Sequence, residues 1–195
     1  MTKVNKINTL ATTKYLKLYD AEYTNKVGEN RNWTIASRKP IEKINNRFFK
    51  GEEDKIDAVV IIPKHIEKDK LVLIKQFRVP INDYIIEFPA GLIDGDEDIK
   101  EAVKRELKEE TGLELLDINI EKTKNKTYLS PGMTDESVAM VYCSCKGEIS
   151  SDDLEDDEDI EVLLLDKEEL KELLKSNFKI DVKAYLGIQN FLIED

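Results

Sequence analysis

Cysteine is scarce. Two residues in 195, Cys143 and Cys145, both lie within MVYCSCKG. On a strand they would share one face, where neighbouring cysteines pair poorly, and two thiols are too few for a structural zinc site. They read as reduced strand residues of a cytoplasmic protein. Histidine occurs once, His65, at the end of an aliphatic run and ahead of a charged turn. It reads as a surface residue rather than a ligand. No Gly/Ser- or Pro-rich stretch marks a linker, and there is no internal repeat. Long apolar runs are missing as well: the longest reach about five residues, as in AVVII at 58–62, where a membrane span needs roughly 20. No membrane partner is expected. The opening residues MTKVNKINTLATTKYLK carry neither an apolar h-region nor a small-residue cleavage site, so no signal peptide is expected. Positive charge is in deficit, with 30 Lys and Arg against 41 Asp and Glu and a net charge of −11. A general nucleic-acid binder needs the opposite balance, so no nucleic-acid partner is expected. A small anionic ligand stays compatible if arginines or metal ions neutralise it locally.

What is present suffices for a core. Hydrophobic residues make up 41% of the chain, and the length fits one domain, or one domain with a small appendage. Residues 14–25 and 30–39 have β character around the polar turn VGEN and predict an N-terminal hairpin. IDAVVIIPKH and KLVLIKQFRV predict buried strands, and YIIEF a third, stopped by Pro89-Ala90-Gly91. A helix should follow from Asp98, an N-cap whose capping box Glu101 completes, to the stop at Thr111-Gly112. Further strands are predicted over 113–122, 137–147 and 159–166, and helices over 167–175 and 181–193. Helices do not alternate regularly with strands, which predicts an α+β protein with helices layered on a mixed sheet.

The predicted helix ends in RELKEETG, residues 105–112. Glu106, Glu109 and Glu110 fall at i, i+3 and i+4 and share a face, where like charges repel by a few tenths of a kcal/mol, roughly. The negative end of the helix dipole adds a further penalty. Hard divalent cations prefer such oxygen ligands and would remove the repulsion. On RELKEE alone, a solvated acidic face paired with Lys104 and Lys108 is the simpler reading.

The surroundings change the balance. From Gly91 to Leu113 the chain resembles the Nudix box of the Nudix hydrolase family, with Gly91, Glu97, Arg105, Glu106, Leu107, Glu109, Glu110, Gly112 and Leu113 at its fixed positions. The resemblance implies an α/β/α sandwich on a mixed sheet and Mg²⁺- or Mn²⁺-dependent hydrolysis of a nucleoside diphosphate linked to another group. It implies that Glu106, Glu109, Glu110 and the Ala90 carbonyl ligate the metal, and that Glu97 orients Arg105. IKQFRVPINDYIIEFPAGLID, SPGMTDE at 130–136 and the N-terminal hairpin are similar to the ADP-sugar pyrophosphatase branch, which acts on ADP-ribose and related sugars. In that branch two aromatics stack on adenine, one of them from the partner of a homodimer; Tyr15 and Trp33 stand at the corresponding places. Arg38 and Arg78 match arginines that contact the nucleotide. The implied division is residues 1–50 for dimerisation and nucleotide binding and 51–195 for the hydrolase domain.

Each assignment has a plainer competitor. Tyr15 and Trp33 could simply cover a hairpin face, and Arg78 could be a strand-end surface charge. The stretch DDLEDDEDIE at 152–161 has eight acids in ten residues, and charge runs are commonly solvated loops. The family often draws its catalytic base, or a further metal ligand, from a loop there; register against the following strand favours Glu158, with Asp156 and Glu155 as rivals. Other readings remain open at this point: a different nucleoside diphosphate derivative (dinucleotide, flavin nucleotide or other sugar), or a non-catalytic nucleotide sensor.

Overall fold

The computed structural model describes residues 1–154 and 158–193. In chain order these form β1 (Lys3–Thr12), β2 (Lys17–Thr24), β3 (Asn30–Ser37), α1 (Ile41–Asn45), a π-helical turn (Asn46–Lys50), β4 (Ala58–His65), β5 (Lys70–Arg78), a 3-10 turn (Val79–Ile81), β6 (Asp83–Glu87), β7 (Ala90–Leu92), α2 (Ile99–Thr111), β8 (Glu114–Ile118), β9 (Lys124–Tyr128), β10 (Ser137–Lys146), β11 (Ile160–Leu165), α3 (Lys167–Lys175), β12 (Lys179–Ile180) and α4 (Val182–Ile193). Two compact units result. Met1–Asp57 with Lys126–Val138 makes the first, and the chain from Ala58 to Asn125, resumed at Ala139, makes the second.

The first unit is an antiparallel meander in the order β1-β2-β3. The predicted hairpin is its second half; β1 adds a strand in front. Gly28, with φ of 87°, supplies the left-handed residue of the turn joining β2 to β3. Ile7, Tyr19, Ala21 and Ile44 are buried together, with Val4, Ile35, Ile41 and Phe48 packed around them. The Tyr19 hydroxyl is satisfied by donating to Lys39 O at 2.8 Å. Beside this core, Lys39 pairs with Asp57 at 2.7 Å, and Arg47 pairs with Asp54 at 2.5 Å and Asp135 at 3.0 Å.

The second unit is built on a mixed sheet with the path β12-β6-β5-β4-β10-β8, joined by β11 on β5 and β7 on β4. β5 pairs antiparallel with β4, β6 and β11, as do β4 with β7 and β10 with β8, while β12 runs parallel to β6. Val59–Ile62 and Leu71–Ile74 are buried on both faces, as expected for central strands covered on each side. Helix α2 lies against β4 and β7, and α4 against β5 and β6, with α3 beside α4. The α4 approach is close: a Cβ on Gly187 would sit 2.3 Å from the Phe88 ring. Strand alternation divides the side chains. Register pairs Ile74 with Glu87 and Arg78 with Asp83, so these share one face with Gln76; Phe77 pairs with Tyr84, and Lys75 with Ile86, on the other.

Three residues of β4 and β10 bear on the sequence reading. His65 is fully buried rather than at the surface. Its Nε2 lies 2.9 Å from Gly147 O and its Nδ1 accepts from the Lys68 N–H at 3.3 Å. The charged turn after it folds over the ring, so both nitrogens find backbone partners. Cys143 and Cys145 are buried free thiols. Burial pushes the Cys145 thiol up to about 12 and raises that of Cys143 as well.

Candidate active site

Helix α2 carries the candidate carboxylates. Its start is fixed by the capping box: the Glu101 N–H donates to Asp98 Oδ1 at 2.9 Å, and the Asp98 N–H to Glu101 Oε2 at 3.1 Å. Its end is fixed by Gly112 in the left-handed conformation, φ 75°. The apolar stripe Ala102, Val103 and Leu107 is buried. It carries two acids down with it, Glu106 at 8% exposure and Glu110 at 2%. Gly91 makes room for the first: a Cβ there would lie 1.9 Å from the Glu106 carboxyl carbon.

Arg105 is the hub of the site. Its guanidinium grips Glu97 through two bonds of 3.1 and 2.9 Å, donates to Leu92 O at 2.9 Å, and reaches Glu106 at 2.7 Å and Glu109 at 3.0 Å. Glu97 closes the loop ahead of the helix by accepting from the Asp94 N–H at 3.2 Å. The Arg105 contact holds the Glu97 carboxyl below its ordinary range. Glu97 above all, then Glu106 and Glu109, holds the arginine charged. The acidic face is therefore neutralised in part from within, by an arginine that leaves the helix toward the loop and bends back. Lys108 instead donates to Gly112 O at 2.8 Å, at the helix end.

The two buried acids are under strong electrostatic pressure. Burial pushes Glu110 up to about 8; the Ala90 N–H, donating to its Oε2 at 2.9 Å, and the charge of Arg78 act against this, while Glu106 and Glu158 add to it. Burial also raises Glu106, with Arg105 opposing and Glu109 and Glu158 reinforcing. Glu158 is thus close enough to be felt by both. The rival bases Glu155 and Asp156 lie outside the described residues.

The remaining candidates divide between the units. Arg78 belongs to the second, where its guanidinium donates twice to Glu87 Oε2, at 2.9 and 2.6 Å. Tyr15, Trp33 and Arg38 belong to the first. Tyr15 is exposed in the turn between β1 and β2, and Trp33 is half-exposed on β3. The Trp33 indole donates to Gly132 O at 3.0 Å, and Arg38 pairs with Glu136 at 2.9 Å, so both are tied to the SPGMTDE segment. A cavity of about 270 Å³ opens beside Trp33, lined by Arg47, Phe48, Tyr128, Met133 and Asp135 among others. Both Asp135 oxygens are buried; Oδ2 is held by the Arg47 charge at 3.0 Å, but neither oxygen has an aligned hydrogen bond among the described residues. Phe48, Tyr128 and Asp135 were not singled out from sequence, since nothing local marks them; only the fold gathers them. Gln76 is a similar case, buried on the α2 face of β5 with Oε1 lacking a partner among the described residues.

The NUDIX domain family model matches residues 54–186, more than half of the chain. The chain belongs to the Nudix family. Putative nudix hydrolase 2 of Caenorhabditis elegans is 37% identical over 64% of this chain and 58% of its own length. The ADP-ribose pyrophosphatase of Saccharomyces cerevisiae is 30% identical over 92% of this chain and 78% of that protein. The crystal structure of an ADP compounds hydrolase superposes with a TM-score of 0.72, covering 96% of this chain and 90% of the other; at 20% identity it speaks to the fold alone. The protein is a Nudix hydrolase of the mixed α/β/α architecture, with the N-terminal β-hairpin present.

The donor set of this Nudix hydrolase suits a hard divalent cation. Glu106 and Glu110 are carboxylates withdrawn from water on one helix face, each raised in pKa first by burial and further by neighbouring carboxylates, Glu109 and Glu158 for the one and Glu106 and Glu158 for the other. A divalent cation held between such carboxylates would offset both effects. Among the described residues no three His, Cys, Asp or Glu side chains are gathered into a ready cage. Mg²⁺ seldom uses one, being held by one or two carboxylates together with water and substrate phosphates.

Proposed function

We propose that this Nudix hydrolase cleaves the pyrophosphate of ADP-ribose or a related ADP-sugar, giving AMP and a sugar phosphate, with Mg²⁺ or Mn²⁺ as its cation. It would work in the cytoplasm as a homodimer. The observation that carries the reading is the buried pair Glu106 and Glu110 at the end of α2, within reach of the Glu158 charge. The ADP-ribose pyrophosphatase among the relatives supports the substrate class.

Glu106, Glu109, Glu110 and the Ala90 carbonyl are the residues to hold the cation. A divalent ion bound there would neutralise the diphosphate oxygens and polarise phosphorus. Arg105 and Glu97 keep Glu106 and Glu109 aimed without touching the substrate. Glu158 takes the proton of the attacking water as its oxygen bonds to phosphorus. The bridging P–O bond breaks, and the second phosphate leaves with the bridging oxygen. Tyr15 and Trp33 stack on adenine and Arg38 contacts the nucleotide, one aromatic coming from the partner; Arg78 steadies the phosphates or base.

Chromatography of ADP-ribose incubated with the protein and MgCl₂ should show equimolar AMP and ribose 5-phosphate, and neither in EDTA. Other nucleoside diphosphate sugars, dinucleotides and flavin nucleotides should turn over more slowly. Glu106→Gln should lower kcat by about a hundredfold or more, the several kcal/mol that metal-assisted charge neutralisation supplies, with little change in Tm. Wild-type turnover in that variant would overturn the cation assignment. Faster release of mononucleotide from another member of the panel would overturn the substrate.

A further inference from the structure

Asp159 follows Glu158 directly and precedes β11, and two contacts hold it. Its carbonyl accepts from the Phe77 N–H at 3.2 Å, extending the β5–β11 ladder by one rung. Its carboxylate Oδ2 accepts from the Tyr84 hydroxyl. Tyr84 is itself fixed. Its ring stands edge-on to Phe77, 5.5 Å between centroids at 71°. Lys75 Nζ lies 5.2 Å from the centroid of the Tyr84 ring.

Tyr84 and Phe77 lie on the sheet face away from Arg78 and Glu87. Successive residues of an extended chain project to opposite faces. Drawing Asp159 to the Tyr84 face therefore sends Glu158 to the other, the face of α2. The Glu158 charge is indeed felt by Glu106 and Glu110. Without a tether, repulsion within a stretch of eight acids in ten residues would favour carrying Glu158 away from two further carboxylates.

We infer that Tyr84, through its hydrogen bond to Asp159, is a positioning residue that aims Glu158 at the carboxylates of α2. The inference rests on the reading of Glu158 as the proton acceptor. It adds a requirement on the opposite face of the sheet, at a residue that does not meet the reacting atoms.

The test is a set of variants assayed with ADP-ribose and Mg²⁺. Tyr84→Phe keeps the ring and its packing on Phe77 and removes only the hydroxyl. It should lower kcat roughly tenfold to a hundredfold, the scale of a small misplacement of a catalytic group, with KM unchanged and Tm within about 2 °C. Asp159→Ala should do the same from the other end of the bond. Asp159→Asn, whose Oδ1 still accepts from the hydroxyl, should restore most of the activity. In a Glu158→Gln background, Tyr84→Phe should have no further effect on kcat. Wild-type kcat in Tyr84→Phe, alongside a damaged Glu158→Gln, would overturn the positioning role and leave the base assignment standing. Equal losses from Tyr84→Phe with and without Glu158 would also overturn it. Wild-type kcat in Glu158→Gln would instead remove the base assignment and the inference with it.

Discussion

Glu110 is pulled two ways: the Ala90 N–H and Arg78 favour its charge, and burial opposes it more strongly. In metal-free protein its pKa lies near 8 against an ordinary 4.5. The folded chain therefore holds a proton that the unfolded chain releases at lower pH. The stability this confers is complete below about 4.5, declines as pH rises, and is gone above about 8. Glu110→Gln removes that slope. In EDTA, the Tm of the variant minus that of wild type should increase from pH 5 to pH 8, by an amount worth roughly a few kcal/mol; a difference that does not vary with pH would contradict the burial argument. At this scale the site is partly legible in the sequence. The i, i+3, i+4 spacing and the Arg105–Glu97 link were legible, because both follow from helical geometry and a short loop. The enclosure of His65 and the pairing of Arg78 with Glu87 were not, because their partners come from other strands or from a turn that folds back.

Among the elements, α2 was the most legible, since its start and stop are chemical signals within a few residues. The Asp98 box and Gly112 stand where expected. Asp98→Ala leaves the Glu101 N–H without its acceptor and should cost about 1 kcal/mol, seen as a Tm lower by roughly 2–4 °C. KM should not change, because the carboxylates sit at the far end of the helix; a cap loss that altered KM would mean the helix moves as a rigid lever. Less legible were β1, of which Ile7 is the one fully buried residue, and β7 and β12, at three and two residues. Strands so polar or so short offer no period to read, and pairing with neighbours defines them. The π-helical turn at Asn46–Lys50 has no sequence signal of its own.

At the scale of the whole molecule, the first unit is not a contiguous piece of chain. It includes residues 126–138, which supply Gly132 to Trp33, Met133 to Ala36, Asp135 to Arg47 and Glu136 to Arg38. Sequence gives no sign of this, because the segment lies about 70 residues along the chain from the rest of its unit, and strands β9 and β10 each run across the boundary between the units. A fragment of residues 51–195 made alone should be poorly soluble or aggregated by size-exclusion chromatography, since the segment would keep its apolar and charged groups and lose these partners. A monodisperse, catalytically active fragment would show that the segment can do without them. There is also a consequence in time. On the ribosome the meander emerges first, and the segment that completes it follows about 80 residues later, a delay of roughly 4–16 s at about 5–20 residues per second. Throughout that interval Trp33 and the two arginines stand without the partners that residues 126–138 supply, so a translational pause just short of codon 138 would lengthen a vulnerable moment in the birth of the protein.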